Sequence, residues 1–106
     1  MDIGSLKKES DLSYNIAVAK RNALEKAQSR MIVVYNEHIF RADSQTINLV
    51  KTLNDSGTSP FYLLDTNSNP VEITKPKDFL QVLIERNQEA IRSYHQMSKT
   101  FEKRDD

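Results

Sequence analysis

Hydrophobic and polar positions change period several times along the chain, and each change marks an element. From Leu12, small or apolar residues recur at Ile16, Ala19, Ala23 and Ala27, with Ala17 and Leu24 widening the stripe; this is helical spacing. Ser10, Asp11 or Ser13 can cap that helix. Its alanines let a neighbour approach closely but bury little area, so the helix is marginal alone. It ends near Ser29-Arg30, because Met31-Ile32-Val33-Val34-Tyr35 is a β-branched and aromatic run suited to a pleated surface.

Asn36-Glu37 then provides a turn, and His38-Ile39-Phe40 returns as a second strand. A two-residue loop pairs Tyr35 with His38, Val34 with Ile39 and Val33 with Phe40. Val33 and Phe40 then share one face, with Ile32, Val34 and Ile39 on the other. Neither turn residue is glycine, so a loop of three or four residues stays open as an alternative.

Helical spacing resumes after Asp43 or Ser44, either of which can cap the next helix. Ile47, Val50 and Leu53, with Leu49 beside them, form its expected buried face, and Gly57 is placed to end it in the left-handed conformation. The pattern then repeats. Phe61–Leu64 reads as a strand, Asp65 to Asn69 as a polar turn and Val71–Thr74 as a return strand, with Pro70 at its start or edge. Thr74 is the expected cap of a last helix from Lys75 to Lys103, roughly 40 Å long at 1.5 Å per residue. Its apolar positions are Leu80, Leu83, Ile84, Ala90, Ile91, Tyr94, Met97 and Phe101, and Asn87 is read at the solvated edge of that stripe, with a register device as the alternative.

These elements make an α+β fold. Two β-hairpins, meeting in a small antiparallel sheet, flank a short helix and pack with an N-terminal helix and a long amphipathic C-terminal helix. Residues 1–10, with a glycine, a lysine pair and no sustained period, are expected to form a mobile or partner-ordered arm, leaving 11–106 as a single domain. A 106-residue chain buries somewhat more than ~60% of its unfolded surface, enough for one modest core.

Charge and composition remove several functions. Fifteen basic and fifteen acidic residues give a formal charge of zero, so no global field draws the chain to nucleic acid or an anionic membrane. The basic groups Lys20, Arg21, Lys99, Lys103 and Arg104 are interspersed with Glu25, Glu102, Asp105 and Asp106, as on a solvated helix face. Cysteine is absent, which excludes disulfides and thiolate chemistry. The longest apolar run, Met31 to Tyr35, is far short of the ~20 residues of a membrane span, and the N-terminus has no hydrophobic signal core; a soluble, unexported chain is expected.

Candidate chemistry is sparse. His38 and His95 lie far apart with no second ligand at metal spacing, and His38 is expected to be an exposed hairpin residue opposite Tyr35. Gly4 and Gly57 cannot build a phosphate-cradling loop. "DTNSNP" offers oxygens, but its single carboxylate fits a hydrogen-bonded turn and not a calcium loop. The chain is therefore expected to be a non-enzyme with no catalytic residue, metal or cofactor.

A helix with "AKRNAL", a hairpin with "YNEHIFRAD", a helix, a hairpin with "FYLLDTNSNPVEIT" and a long amphipathic helix together resemble a family of small domains of unknown function in tailed-phage tail-fibre and tail-assembly proteins. Arg21, Phe40, Asp43, Thr46, Phe61, Asp65, Asn67, Val71, Ile73 and Thr74 look like that family's marked positions, over residues 15–101. The chain departs from the family at Glu37, where a glycine is usual, and at Phe61 or Tyr62, where a tryptophan is usual.

The resemblance implies a structural or assembly component of a phage tail, baseplate or tail-fibre apparatus. Such a component is made in the host cytoplasm and located in the virion tail. Its implied partners are other tail proteins or copies of itself, not nucleic acid or membrane. A transient assembly chaperone and a small regulator binding a host protein are the alternatives. The expected partner interface is the last helix, at Leu83, Asn87, Ile91, Tyr94, Met97 and Phe101, while Arg21, Phe40, Asp43, Phe61, Asp65, Asn67 and Thr74 are expected to serve structure.

Overall fold

A computed structural model describes the backbone of residues 3–104 and the side chains of residues 14–101. The order is α1 (Ile3–Ser29), β1 (Ile32–Tyr35), β2 (His38–Arg41), α2 (Ser44–Asp55), β3 (Phe61–Leu64), β4 (Pro70–Ile73) and α3 (Pro76–Arg104). The class is the expected α+β, with one hairpin on either side of the short helix.

Helix α1 begins at Ile3, upstream of the expected start near Ser10, and the expected caps Ser10, Asp11 and Ser13 lie inside it. Leucine, lysine and glutamate are good helix formers, and the run Leu6-Lys7-Lys8-Glu9 gives the helix no reason to wait for a cap.

Asn36 and Glu37 both adopt positive φ, 49° and 67°, which makes the first hairpin's loop a two-residue turn matched to the strand twist. The pairs are Tyr35–His38, Val34–Ile39, Val33–Phe40 and Ile32–Arg41. Val33 and Phe40 face inward while Ile32, Val34 and Ile39 face solvent, as the alternation requires. In the second hairpin Phe61 pairs with Ile73 and Leu63 with Val71, and all four are buried. The two hairpins form separate two-stranded sheets and not one, joined at their tips.

Asp43 caps α2, its Oδ1 accepting from the Thr46 amide at 2.9 Å, and Gly57 follows the helix end at φ 76°. Of the expected buried face of α2, Val50 is fully buried and Ile47 and Leu53 partly so; Leu49 is exposed, toward the groove described below. Thr74 does not cap α3. The helix starts at Pro76, a position where the missing N–H has no helical partner to lose, and the Thr74 hydroxyl lies 3.3 Å from that of Tyr35.

One core gathers Val33, Phe40, Val50, Phe61, Leu63, Val71, Ile73, Phe79 and Leu83. Phe79 is its hinge point, meeting Tyr35 edge-on at 5.1 Å and Phe40 at 5.2 Å between ring centres. Beyond this body α3 continues and α1 runs back along it. Ala23, Ala27 and Ala90 are buried where the helices pair, and the Arg30 guanidinium donates to Ser93 Oγ at 3.3 Å. The pair gives the molecule a long axis of 67 Å against 24 and 22 Å, and a radius of gyration of 19.7 Å where a compact chain of this length has about 13 Å.

Candidate interaction surfaces

The tips of the hairpins are clasped. His38 Nδ1 donates to Asp65 Oδ2 at 2.7 Å, and the Thr66 amide donates to the Ile39 carbonyl at 2.9 Å. The other carboxylate oxygen, Asp65 Oδ1, accepts from the amides of Asn69 at 2.8 Å and Asn67 at 2.9 Å, which pins the turn that "DTNSNP" encodes. His38 is therefore not simply an exposed hairpin residue: its ring spans the gap between two sheets that share no ladder. Among the described residues its only side-chain partner is Asp65.

The Asn69 amide, then the His38 ring, hold the Asp65 carboxyl below the ordinary aspartate value of 3.8, against a burial that acts the other way. The sign follows. A carboxyl whose folded-state value is depressed contributes stability that is fully present above the unfolded value and is lost as pH falls through the folded one. Melting temperature should hold steady from neutral pH down to the ordinary aspartate range and drop below it, and Asp65→Asn should flatten that acid limb. His38→Ala should lower the melting temperature by a few degrees at pH 7, measured by circular dichroism; no change would show that the clasp is idle.

Two of the grooves that border the hairpins each carry several exposed apolar side chains. One, of about 800 Å³, lies between β1 and α3 and is lined by Ile32, Val34, Val82, Arg86, Glu89 and Ser93 among others. The second, of about 690 Å³, lies between α2 and β3, where Leu49, Tyr62 and Leu64 stand around Gln45, Thr46 and Thr66.

No family model, curated protein or solved structure matches the chain.

The interface expected on α3 is mostly interior. Leu83 is fully buried in the core, Phe101 is buried, and Tyr94 is half-buried on the stripe that α1 covers. Asn87 is buried as well, and its Nδ2 donates to the Ala42 carbonyl at 2.9 Å, tying α3 to the end of β2. It belongs neither to a solvated edge nor to a partner surface. Only Ile91 and Met97 of that set are exposed. A partner is expected there because the stripe runs on beyond what a core this small should cover; α1 instead covers much of it, its small side chains letting the two helices close.

Of the expected structural residues, Phe40 and Phe61 are core, Asp43 is a cap, Asp65 and Asn67 build the turn, and Thr74 faces Tyr35. Arg21 is exposed. Phe79 was missed, although it stands four residues before Leu83, which in turn stands four before Asn87. Counting it makes Asn87 the middle of the stripe.

His95 is exposed, and among the described residues no three His, Cys, Asp or Glu side chains are grouped to hold a metal. No helix among the described residues is long and apolar enough to cross a membrane.

Proposed function

We propose that this protein is a non-enzymatic structural or assembly component of a phage tail, baseplate or tail-fibre apparatus, working through protein–protein contacts. The phage setting rests on the resemblance of the hairpin–helix–hairpin passages alone. The contact function rests on the outer face of the second hairpin, where Tyr62 is 67% exposed and Leu64 63% exposed, with Leu49 beside them. A rigid aromatic next to aliphatic side chains around an open groove is the composition of an interface centre.

Tyr62→Asp with Leu64→Asp should test it. Both side chains face solvent, so circular dichroism and melting should move little, within about 0.5 kcal/mol for each change. Used as bait in infected cells, the parent should capture tail proteins, and the double variant about tenfold less or none. Mass spectrometry of purified virions should find the chain there. Absence from virions would transfer the reading to a transient chaperone, and capture of host protein alone to a regulator.

A further inference from the structure

We propose that a second copy of this chain docks on the open edge of β1, so that β1 pairs antiparallel with its own counterpart and the two first hairpins join into one four-stranded sheet. The surface is distinct from the Tyr62–Leu64 face and does not depend on it.

The ladder of the first hairpin dictates which peptide groups point outward. Ala42 N–H donates to the Met31 carbonyl at 2.7 Å, and in an antiparallel pair the hydrogen-bonded positions alternate. Met31, Val33 and Tyr35 therefore direct their peptide groups to β2, and Ile32 and Val34 direct theirs away from it. The Ile32 amide turns back to the Arg30 carbonyl at 2.9 Å. The Ile32 carbonyl and both peptide groups of Val34 have no partner among the described residues. The opposite edge of the hairpin differs, since Thr66 occupies the Ile39 carbonyl there.

Sheet edges are usually protected by proline, lysine, a bulge or a covering element. The β1 sequence Ile-Val-Val-Tyr has no such device, whereas β4 opens with Pro70. Val34 is 68% exposed, and Ile32 and Val82 line the groove beside it.

Charge selects a second copy as the occupant. An isologous contact must be complementary to itself. Antiparallel pairing about Val34 brings Arg30, before the strand, within reach of Glu37 of the second copy, beyond its strand, and does so twice. The helix beneath obeys the same symmetry. Asn87 approaches the Met31 sulfur at 3.8 Å and Phe79 meets Tyr35, so α3 runs opposite to β1 and the strand's midpoint lies level with Val82. A two-fold axis there sets Val82 against Val82 of the second copy. Arg86, one turn further along, comes to face Asp78 of the copy, and Glu89 to face its Lys75. All four charges are exposed in the single chain, where the Arg86 guanidinium donates to Glu89 Oε2 at 3.3 Å, so the contact exchanges that surface pair for pairs across the two-fold.

Sedimentation velocity on the full chain, up to millimolar concentration, tests the proposal. The parent should dimerise, and more weakly in high salt. Val34→Pro removes the outward amide without touching the hairpin's own ladder and should give a monomer with unchanged far-ultraviolet circular dichroism; Val34→Lys serves the same purpose if the proline variant does not fold. Glu89→Lys should weaken the dimer at least about tenfold, and adding Lys75→Glu should restore it, a rescue that a general loss of stability would not produce. A parent that stays monomeric, a dimer indifferent to both Val34 variants, or a double charge swap without recovery would each overturn it. Val34→Pro should still capture tail proteins through Tyr62 and Leu64, so failure of the dimer and failure of the proposed function are read separately.

Discussion

Phe79→Ala should destabilise the protein by about 3–5 kcal/mol, as other buried phenylalanine truncations do. Phe79 is 2% exposed and meets two aromatic rings, Tyr35 and Phe40, so the void left behind is bounded by the first hairpin on one side and α3 on the other. Small domains are stable by only about 5–15 kcal/mol, and for a chain of this size such a loss lowers the melting temperature by about 15–25 °C. Phe40→Ala should match it, because the two rings fill one space; the double variant should then cost less than the two single changes added together. Thermal denaturation of the three variants measures this. A melting temperature within a few degrees of the parent for Phe79→Ala would mean that the ring is not the centre of the core.

The alternation of Ile32 to Tyr35 and His38 to Phe40 favours the first hairpin's register, because a slip by one residue would expose Phe40 and bury Val34. It leaves open the length of a turn without glycine, which rests on Asn36 and Glu37 taking positive φ. Asp43 and Gly57 likewise announce the two ends of α2 by chemistry that acts over a few residues. What stayed illegible depends on contacts between distant segments. Nothing near His38 in sequence points to Asp65, and a polar residue such as Asn87 looks the same in sequence at a wet edge as in an interior with a carbonyl waiting for it. The pairing of α1 with α3 was legible, since Ala19, Ala23 and Ala27 permit a close approach; how much of the α3 stripe α1 covers was not, because that depends on where two distant helices meet along their lengths.

The Asn87 hydrogen bond opposes sliding of the long helix against the hairpin. Among the described residues Asn87 is the only buried polar residue of α3, in a stripe that includes Phe79, Leu83, Ala90, Tyr94 and Phe101, and its amide meets the carbonyl of Ala42, which is fully buried. Moving α3 by one turn in either direction would set Leu83 or Ala90 in the place of Asn87 and leave that carbonyl without a donor. This buried hydrogen bond adds to the packing of Phe79 a penalty against any other register of α3.

Asn87→Leu, which deletes the donor, should cost about 1–3 kcal/mol for the orphaned carbonyl. Asn87→Asp should cost more at neutral pH, about 3–5 kcal/mol, because it buries a charge that points at an acceptor. That penalty has a pH signature opposite to the one expected from Asp65. The introduced carboxyl can donate to the Ala42 carbonyl only when protonated, so its folded-state pKa lies above the unfolded value of about 3.9. The variant is therefore relatively stable below that value and loses stability as pH rises through the range above it, whereas Asp65 withdraws stability only on the acid side. Melting temperatures of parent and variant should converge as pH is lowered from 7 toward 4.5, a window in which Asp65 is still ionised. A gap independent of pH across that window would show that residue 87 reaches water, and that the register of α3 is held by packing alone.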